Sequence, residues 1–253
     1  MSKIVLITGA TSGIGEAATI KLAAEGMNLI IAGRRNERLF KLKETLESQF
    51  QVRILTLCFD IRDENQVKEA IENLPADWRN IDILINNAGL AAGLSSLQKG
   101  NSDDWNRMID TNIKGLLYIT RAVSPQMIER KSGHIINIGS IAGKDVYANG
   151  NVYCGTKHAV DALTKGMRID MLPYNIRVTQ ICPGAVETEF SIVRFHGDQQ
   201  RAKKVYEGYE HLVAMDIAEC IWFVVSRPPH VNINDMVVMP TAQANGSIFH
   251  KHL

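Results

Sequence analysis

The chain has 253 residues, 45% apolar and 22% charged, the composition of a folded globular protein rather than a disordered or fibrous one. Its 28 Lys and Arg against 27 Asp and Glu leave a net charge of +1, which gives no electrostatic footprint for nucleic acid or for an anionic membrane. Cys58, Cys154, Cys182 and Cys220 stand dozens of residues apart and no apolar run approaches the ~20 residues of a membrane span, so the cytoplasm is the expected setting.

Short β-branched runs alternate with longer amphipathic stretches, the pattern of a parallel sheet covered by helices on both faces. In chain order the pattern predicts a strand over residues 3–8, a helix over 13–25, a strand over 28–33 and a helix over 37–48. A strand over 53–59, a helix over 64–73 and a strand over 81–86 follow, then two helical stretches between 103 and 129. The last elements are a strand over 133–139, a helix over 152–172, a strand over 177–182, a helix opening near Asp216 with N-cap chemistry, and a strand over 235–239. That is a single α/β domain over residues 1–253, a doubly wound parallel sheet of about seven strands; no linker or repeat divides it. The connection over about 183–215 mixes Gly, Phe, His and charged residues and reads as an insertion that covers a substrate.

Where the first strand passes into the first helix the chain reads Thr8-Gly9-Ala10-Thr11-Ser12-Gly13-Ile14-Gly15, and Gly13-x-Gly15-x-x-Ala18 meets the dinucleotide-binding fingerprint. Glycine there lets backbone approach a pyrophosphate, and the helix N-terminus offers free N–H groups and the positive end of its dipole. An NAD-binding chain would carry Asp or Glu about 20 residues on. Gly33-Arg34-Arg35 stands there instead, two guanidiniums suited to a ribose 2′-phosphate, so NADP is the expected cofactor; a solvated basic helix start is the alternative.

Ser140 ends a predicted strand, and Tyr153 and Lys157 lie one helical turn apart on one face. A tyrosine titrates near pH 10, and a neighbouring ammonium lowers that value. Tyr153 is therefore expected to exchange a proton with a substrate hydroxyl or carbonyl while Ser140 donates to the same oxygen. The YxxxK spacing occurs once in the chain.

Taken together these motifs make the chain resemble the short-chain dehydrogenase/reductase family over essentially its whole length. The resemblance rests on the glycine run, Asn86-Asn87-Ala88-Gly89, Asn112, Ser140, Tyr153, Lys157, and Pro183-Gly184 with Thr188. It implies a Rossmann-type fold and a catalytic tetrad of Asn112, Ser140, Tyr153 and Lys157, with Asn112 holding a water that leads from the lysine to solvent. It also implies cofactor contacts from Gly9, Ala10, Thr11, Ser12, Gly13, Ile14 and Gly15, from Arg34 and Arg35, from Asp60 and Ile61 at the adenine, and from Asn87, Ala88 and Gly89 along the ribose. Tyr153 and Lys157 would meet the nicotinamide ribose, and Pro183, Gly184, Val186 and Thr188 would wrap the nicotinamide end. A homotetramer is implied, seamed along the helix that carries Tyr153. On that helix a stripe of Gly155, Ala159, Ala162 and Gly166 lies opposite Thr156, Val160, Leu163 and Met167, and either stripe could face the sheet.

A narrower resemblance, through Gly33-Arg34-Arg35-Asn36-Glu37-Arg38-Leu39, Leu74-Pro75-Ala76-Asp77-Trp78, Glu189-Phe190-Ser191-Ile192-Val193-Arg194-Phe195 and His230-Val231-Asn232-Ile233-Asn234, is to the NADP-dependent 3-hydroxy acid dehydrogenases. These act on serine, allo-threonine and short acids of the 3-hydroxypropionate or 3-hydroxyisobutyrate type. Such a substrate carries a carboxylate two bonds from the carbon that gives up hydride, so a cation is expected near the nicotinamide. Between Gly184 and Gln200 the single Lys or Arg is Arg194, the candidate substrate residue, with pairing to Asp198 as its bland alternative and His196 as a weaker candidate. A carbonyl or 3-oxoacyl reductase of larger ketones would share the same catalytic residues; the intact Ser140, Tyr153 and Lys157 argue against a dinucleotide-binding regulator without turnover. His250 and His252 lack an acidic or cysteine partner, so no metal is expected and the tail reads as frayed.

Overall fold

The computed structural model describes residues 2–252. Its first half is built of β1 (Ile4–Thr8), α1 (Gly13–Ala24), β2 (Asn28–Gly33), α2 (Asn36–Gln49), β3 (Ile54–Cys58), α3 (Glu64–Glu72) and β4 (Ile83–Asn86). Next come α4 (Ser102–Ile109), a π-helical turn (Asp110–Gly115), α5 (Leu116–Arg130), β5 (Gly133–Ile138) and α6 (Asn151–Met171). The chain then runs through β6 (Ile176–Pro183), β7 (Val186–Glu187), α7 (Phe190–Arg194), α8 (Gln199–Lys204), β8 (Leu212–Val213), α9 (Ala214–Val225) and β9 (Asp235–Val238).

Seven strands form one parallel sheet in the order β3-β2-β1-β4-β5-β6-β9. Alternation along β1 explains its burial on both faces: Val5 and Ile7 join one apolar core with α1 and α9, while Ile4 and Leu6 join the other with α3, α5 and α6. The order reverses between β1 and β4, so the carboxyl ends of those strands open the crevice in which doubly wound sheets bind ligands. One level of the sheet is polar. Asn86 aligns with Asn137, Asn137 with Gln180 and Gln180 with Asp235 across four neighbouring strands. Asn86 Nδ2 donates to Asn137 Oδ1 at 2.8 Å and to Thr120 Oγ1 at 3.0 Å, and Asn137 Nδ2 donates to Thr164 Oγ1 at 2.9 Å.

Three expectations change. The connection before α9 holds a two-strand parallel sheet, β7 with β8, and two short helices, because Val186 and Leu212 pair across it. Asp216 is the third residue of α9 rather than its cap, its carboxylate reaching back to the Val213 N–H at 2.8 Å. The tail is packed rather than frayed: the His250 N–H donates to Ala242 O at 2.8 Å, the His252 N–H to Gly208 O at 2.7 Å, and the Phe249 ring lies 5.1 Å from Tyr209. On α6, Thr156, Val160, Thr164 and Met167 are buried, and a Cβ built on Gly155 or Gly166 meets nothing within 4 Å, so the small-residue stripe faces away from the sheet. Among the described residues no helix is long and apolar enough to cross a membrane, and no group of three His, Cys, Asp or Glu is placed to hold a metal.

Candidate active site

The glycine turn is shaped by contact rather than by sequence alone. Gly9 and Gly13 take left-handed φ values of 66° and 56°, which side chains disfavour. A Cβ on Gly15 would stand 2.3 Å from Gly9 O and 2.4 Å from Asn87 Nδ2, so only glycine lets the start of α1 close onto the turn. Asn87 Nδ2 donates to Thr8 O at 2.9 Å and to Gly9 O at 3.2 Å. The Thr8 hydroxyl accepts the N–H groups of Asn87 and Ala88, both at 3.1 Å. The end of β4 is thereby pinned to the end of β1 by the Asn87 amide hydrogens, with Asn87 still lining the cleft.

At the end of β2 the two arginines differ. Arg34 is 60% exposed and its nearest carboxylate, Asp60, lies 3.8 Å away. Asp60 is held by Arg62, whose Nε sits 3.0 Å from both carboxylate oxygens and whose Nη2 sits 2.6 Å from one; that guanidinium keeps its carboxyl below the usual range. Arg35 turns inward. Its Nε donates to Thr11 Oγ1 at 3.0 Å, its Nη2 to Thr11 O at 3.1 Å and Ser12 Oγ at 2.7 Å, and its Nη1 to Glu189 Oε2 at 2.8 Å.

The catalytic candidates meet at the ends of β4, β5 and β6. Ser140 Oγ accepts the Ala142 N–H at 3.1 Å and faces the Tyr153 phenol. Tyr153 is buried with its ring edge-on to Phe190, centroids 5.6 Å apart. Lys157 is also buried, and its Nζ donates to Ile138 O at 2.9 Å. Burial pushes the lysine down to about 8. Burial likewise pushes the Tyr153 phenol above its ordinary value, and the groups that oppose the shift are the Ser140 hydroxyl and the Arg194 guanidinium. Two cations thus stand at this end of the cleft, Arg194 against the phenol ring and Lys157 one turn along α6.

Asn112 stands apart from the cleft. It lies in the π-helical turn, where its Oδ1 accepts the Leu90 N–H at 2.8 Å and its Nδ2 donates to Leu90 O at 2.8 Å and Thr156 Oγ1 at 3.0 Å. Both amide hydrogens and one lone pair of its oxygen tie the loop after β4 to α6. Asn112 Oδ1 and Lys157 Nζ both lie within 3.6 Å of a Cβ built on Gly89, so the two side chains meet behind the loop after β4.

Arg194 lines the cleft beside two tyrosines. Its Nη2 donates to Tyr147 Oη at 2.6 Å, and its guanidinium carbon stands 5.4 Å from the ring centres of both Tyr147 and Tyr153. The Gly93 N–H donates to Arg194 O at 2.9 Å, which clasps the end of α7 to the loop after β4. Asp198 caps α8 through the Arg201 N–H at 2.9 Å instead of pairing with Arg194, and His196 pairs with Asp104 at 3.1 Å. Burial raises the Tyr147 phenol, so it keeps a hydrogen to donate beside the guanidinium.

One cleft of about 550 Å³ runs from Arg34 to Arg194. It is lined by all the predicted site residues except Ala10, Gly15 and Asn112. It also takes in Phe190, from the stretch that carries the narrower resemblance, and Tyr147, Tyr206, Gln243 and Phe249, which no local motif marks. The volume, the glycine cradle and the exposed Arg34 suit a dinucleotide with a small substrate beside its nicotinamide end.

A parallel crevice with a glycine turn at one end and a buried Ser-Tyr-Lys group at the other defines a dinucleotide-dependent oxidoreductase. The chain belongs to the short-chain dehydrogenase family, whose model matches residues 3–198. It is 49% identical over 242 residues to the NADP-dependent 3-hydroxy acid dehydrogenase YdfG of Salmonella typhi, covering 95% of this chain and 96% of that one. It is 46% identical over 245 residues to sulfoacetaldehyde reductase 2 of Chromohalobacter salexigens, covering 96% of each chain. Among solved structures it resembles the closed form of serine dehydrogenase complexed with NADP+, with a TM-score of 0.92 and 47% identity over 99% of this chain and 100% of the other.

Proposed function

We propose that this chain is an NADP-dependent dehydrogenase of short 3-hydroxy acids, with Arg194 and Tyr147 as the seat of the carboxylate. The observation that carries the reading is the Arg194 guanidinium stacked 5.4 Å from the Tyr153 ring, within one small acid's length of the proton-transferring phenol. The names of the relatives support the same substrate class.

Bound NADP supplies the hydride acceptor, and NADPH the donor. In oxidation Tyr153 acts as the phenolate, its own proton having left through the cleft to solvent with the Arg194 and Lys157 cations nearby, and its Oη takes the proton of the substrate hydroxyl while the Ser140 hydroxyl holds that oxygen. In reduction the phenol, kept protonated by burial, gives its proton to the oxygen as negative charge develops on it. Lys157, anchored on Ile138 O and protonated below about pH 8, supplies positive charge at the end of β5. Phe190, Tyr206 and Phe249 keep water from the reacting carbon. We assign residues 183–215 as the cover of the substrate. A homotetramer packed along the outward stripe of α6 is the assembly this reading implies, and four free thiols suit the reducing cytoplasm.

Arg194→Met tests the reading. The variant should raise KM for serine or 3-hydroxypropionate about 10- to 100-fold, the worth of a charge-assisted hydrogen bond, while NADP affinity and turnover of an uncharged alcohol stay near wild type. A sulfonate is an equally good anion for a guanidinium, so sulfoacetaldehyde belongs in the panel. Equal losses on charged and uncharged substrates would make Arg194 a shaper of α7 and favour a reductase of larger ketones.

A further inference from the structure

Glu189 follows Thr188 at the nicotinamide end of the cleft, yet its carboxylate crosses the glycine turn to the opposite end. Oε2 accepts from Arg35 Nη1 and Oε1 from Arg38 Nη1, each at 2.8 Å. Arg38 also reaches Thr11 O at 3.4 Å, and the other donors of Arg35 are taken by Thr11 and Ser12. The turn beneath is close: a Cβ on Gly13 would stand 3.1 Å from Thr188 Cβ. The guanidinium fork that the end of β2 offers to a phosphate is thus filled by an anion of the chain's own, 151 to 154 residues distant in sequence.

A carboxylate and a phosphomonoester want the same thing from a guanidinium, two parallel N–H donors, and the donors are finite. All three side chains are 41–50% exposed, so the pairing is open to exchange with a solute rather than sealed in the core. A 2′-phosphate brings up to two negative charges and three acceptor oxygens against one charge and two oxygens. A 2′-hydroxyl brings no charge.

We propose that Glu189 is an internal competitor for the 2′-phosphate, displaced from Arg35 and Arg38 by NADP and left in place by NAD, so that it sets how strongly the cleft selects between them. The proposal rests on the NADP reading above. Its consequence is counterintuitive for a residue in a selective site: removing the carboxylate should sharpen the preference for the phosphorylated ribose, because the phosphate no longer has an ion pair to break.

Adenosine 2′,5′-bisphosphate and 5′-AMP test this without involving turnover. Titration calorimetry on the intact wild-type chain, Glu189→Gln and Glu189→Asp should show the bisphosphate bound about three- to tenfold more tightly by the Gln variant, as expected for losing two exposed ion pairs. The Asp variant, too short to reach both arginines, should fall between, and 5′-AMP should bind all three alike. Weaker bisphosphate binding in Glu189→Gln would overturn the proposal, since the carboxylate would then be organising the fork. An equal change for both nucleotides would overturn it in favour of a clamp over the whole cofactor. A wild type that binds the two nucleotides equally refutes NADP selection itself, and with it the competition; that failure shows before any variant is made.

Discussion

Tyr153 sits among groups that pull its proton in opposite directions: burial holds it on, Ser140 and Arg194 loosen it. Tyr153→Phe keeps the ring against Phe190 and removes only the hydroxyl, so turnover should fall about 10²- to 10⁴-fold with NADP affinity within about twofold of wild type. Steady-state rates and cofactor titration together check this, and near-normal turnover would remove the tyrosine from the chemistry. At this scale the sequence was most readable where chemistry demands a local spacing, as for Tyr153 and Lys157 one turn apart. It was silent where residues meet through the fold. Arg38 and Glu189 touch across 151 residues, and Tyr147 gains its meaning only from the guanidinium laid on it. The contact of Asn112 with Leu90 spans 22 residues and has no local signal either.

Elements buried on both faces were legible because most of their positions are apolar and turn residues bound them; the seven predicted strands all stand in the sheet, with ends moved by two residues or fewer. The two helical stretches between 103 and 129 are joined through a π turn that no periodicity reveals, since one wide turn leaves the apolar repeat nearly intact. The short helices of the insertion and the packed tail were hidden because α7 and α8 are five and six residues long, too short to show a helical repeat, and the tail is held by contacts with distant segments. Helix α6 resolves an ambiguity of its own sequence. Its larger stripe serves the core, and its small stripe is left outward, where a second helix could approach to 8–10 Å. Ala162→Trp should therefore shrink the assembly seen by light scattering while circular dichroism of the fold is unchanged. A wild-type mass of one chain would reject the tetramer outright.

Across the whole molecule the two apolar cores enclose a few polar groups whose protonation the fold decides. His134 is buried in β5, with Nε2 2.8 Å from Thr179 Oγ1 and Nδ1 unpartnered, and burial pushes it down to about 3. The unfolded chain takes up a proton at this residue below about pH 6.5, and the folded one refuses it until about pH 3, so stability falls as pH falls through that window. Between pH 7 and 5 the loss from this group should be about 2 kcal/mol. Urea unfolding of wild type and His134→Gln at both pH values checks it: the variant should lose less on acidification, and equal losses would exonerate the histidine. The polar level through Asn86, Asn137, Gln180 and Asp235 bears on how the chain finds this sheet at all. Parallel strands made only of Ile, Leu and Val could stagger against one another at nearly equal cost. A slip of one residue would throw the Asn86–Asn137 contact onto opposite faces, and a slip of two would part the two amides, at about 1–3 kcal/mol for each buried polar group left unmet. The amides thus work as alignment marks, like the notches that let a tailor join two lengths of plain cloth in only one way.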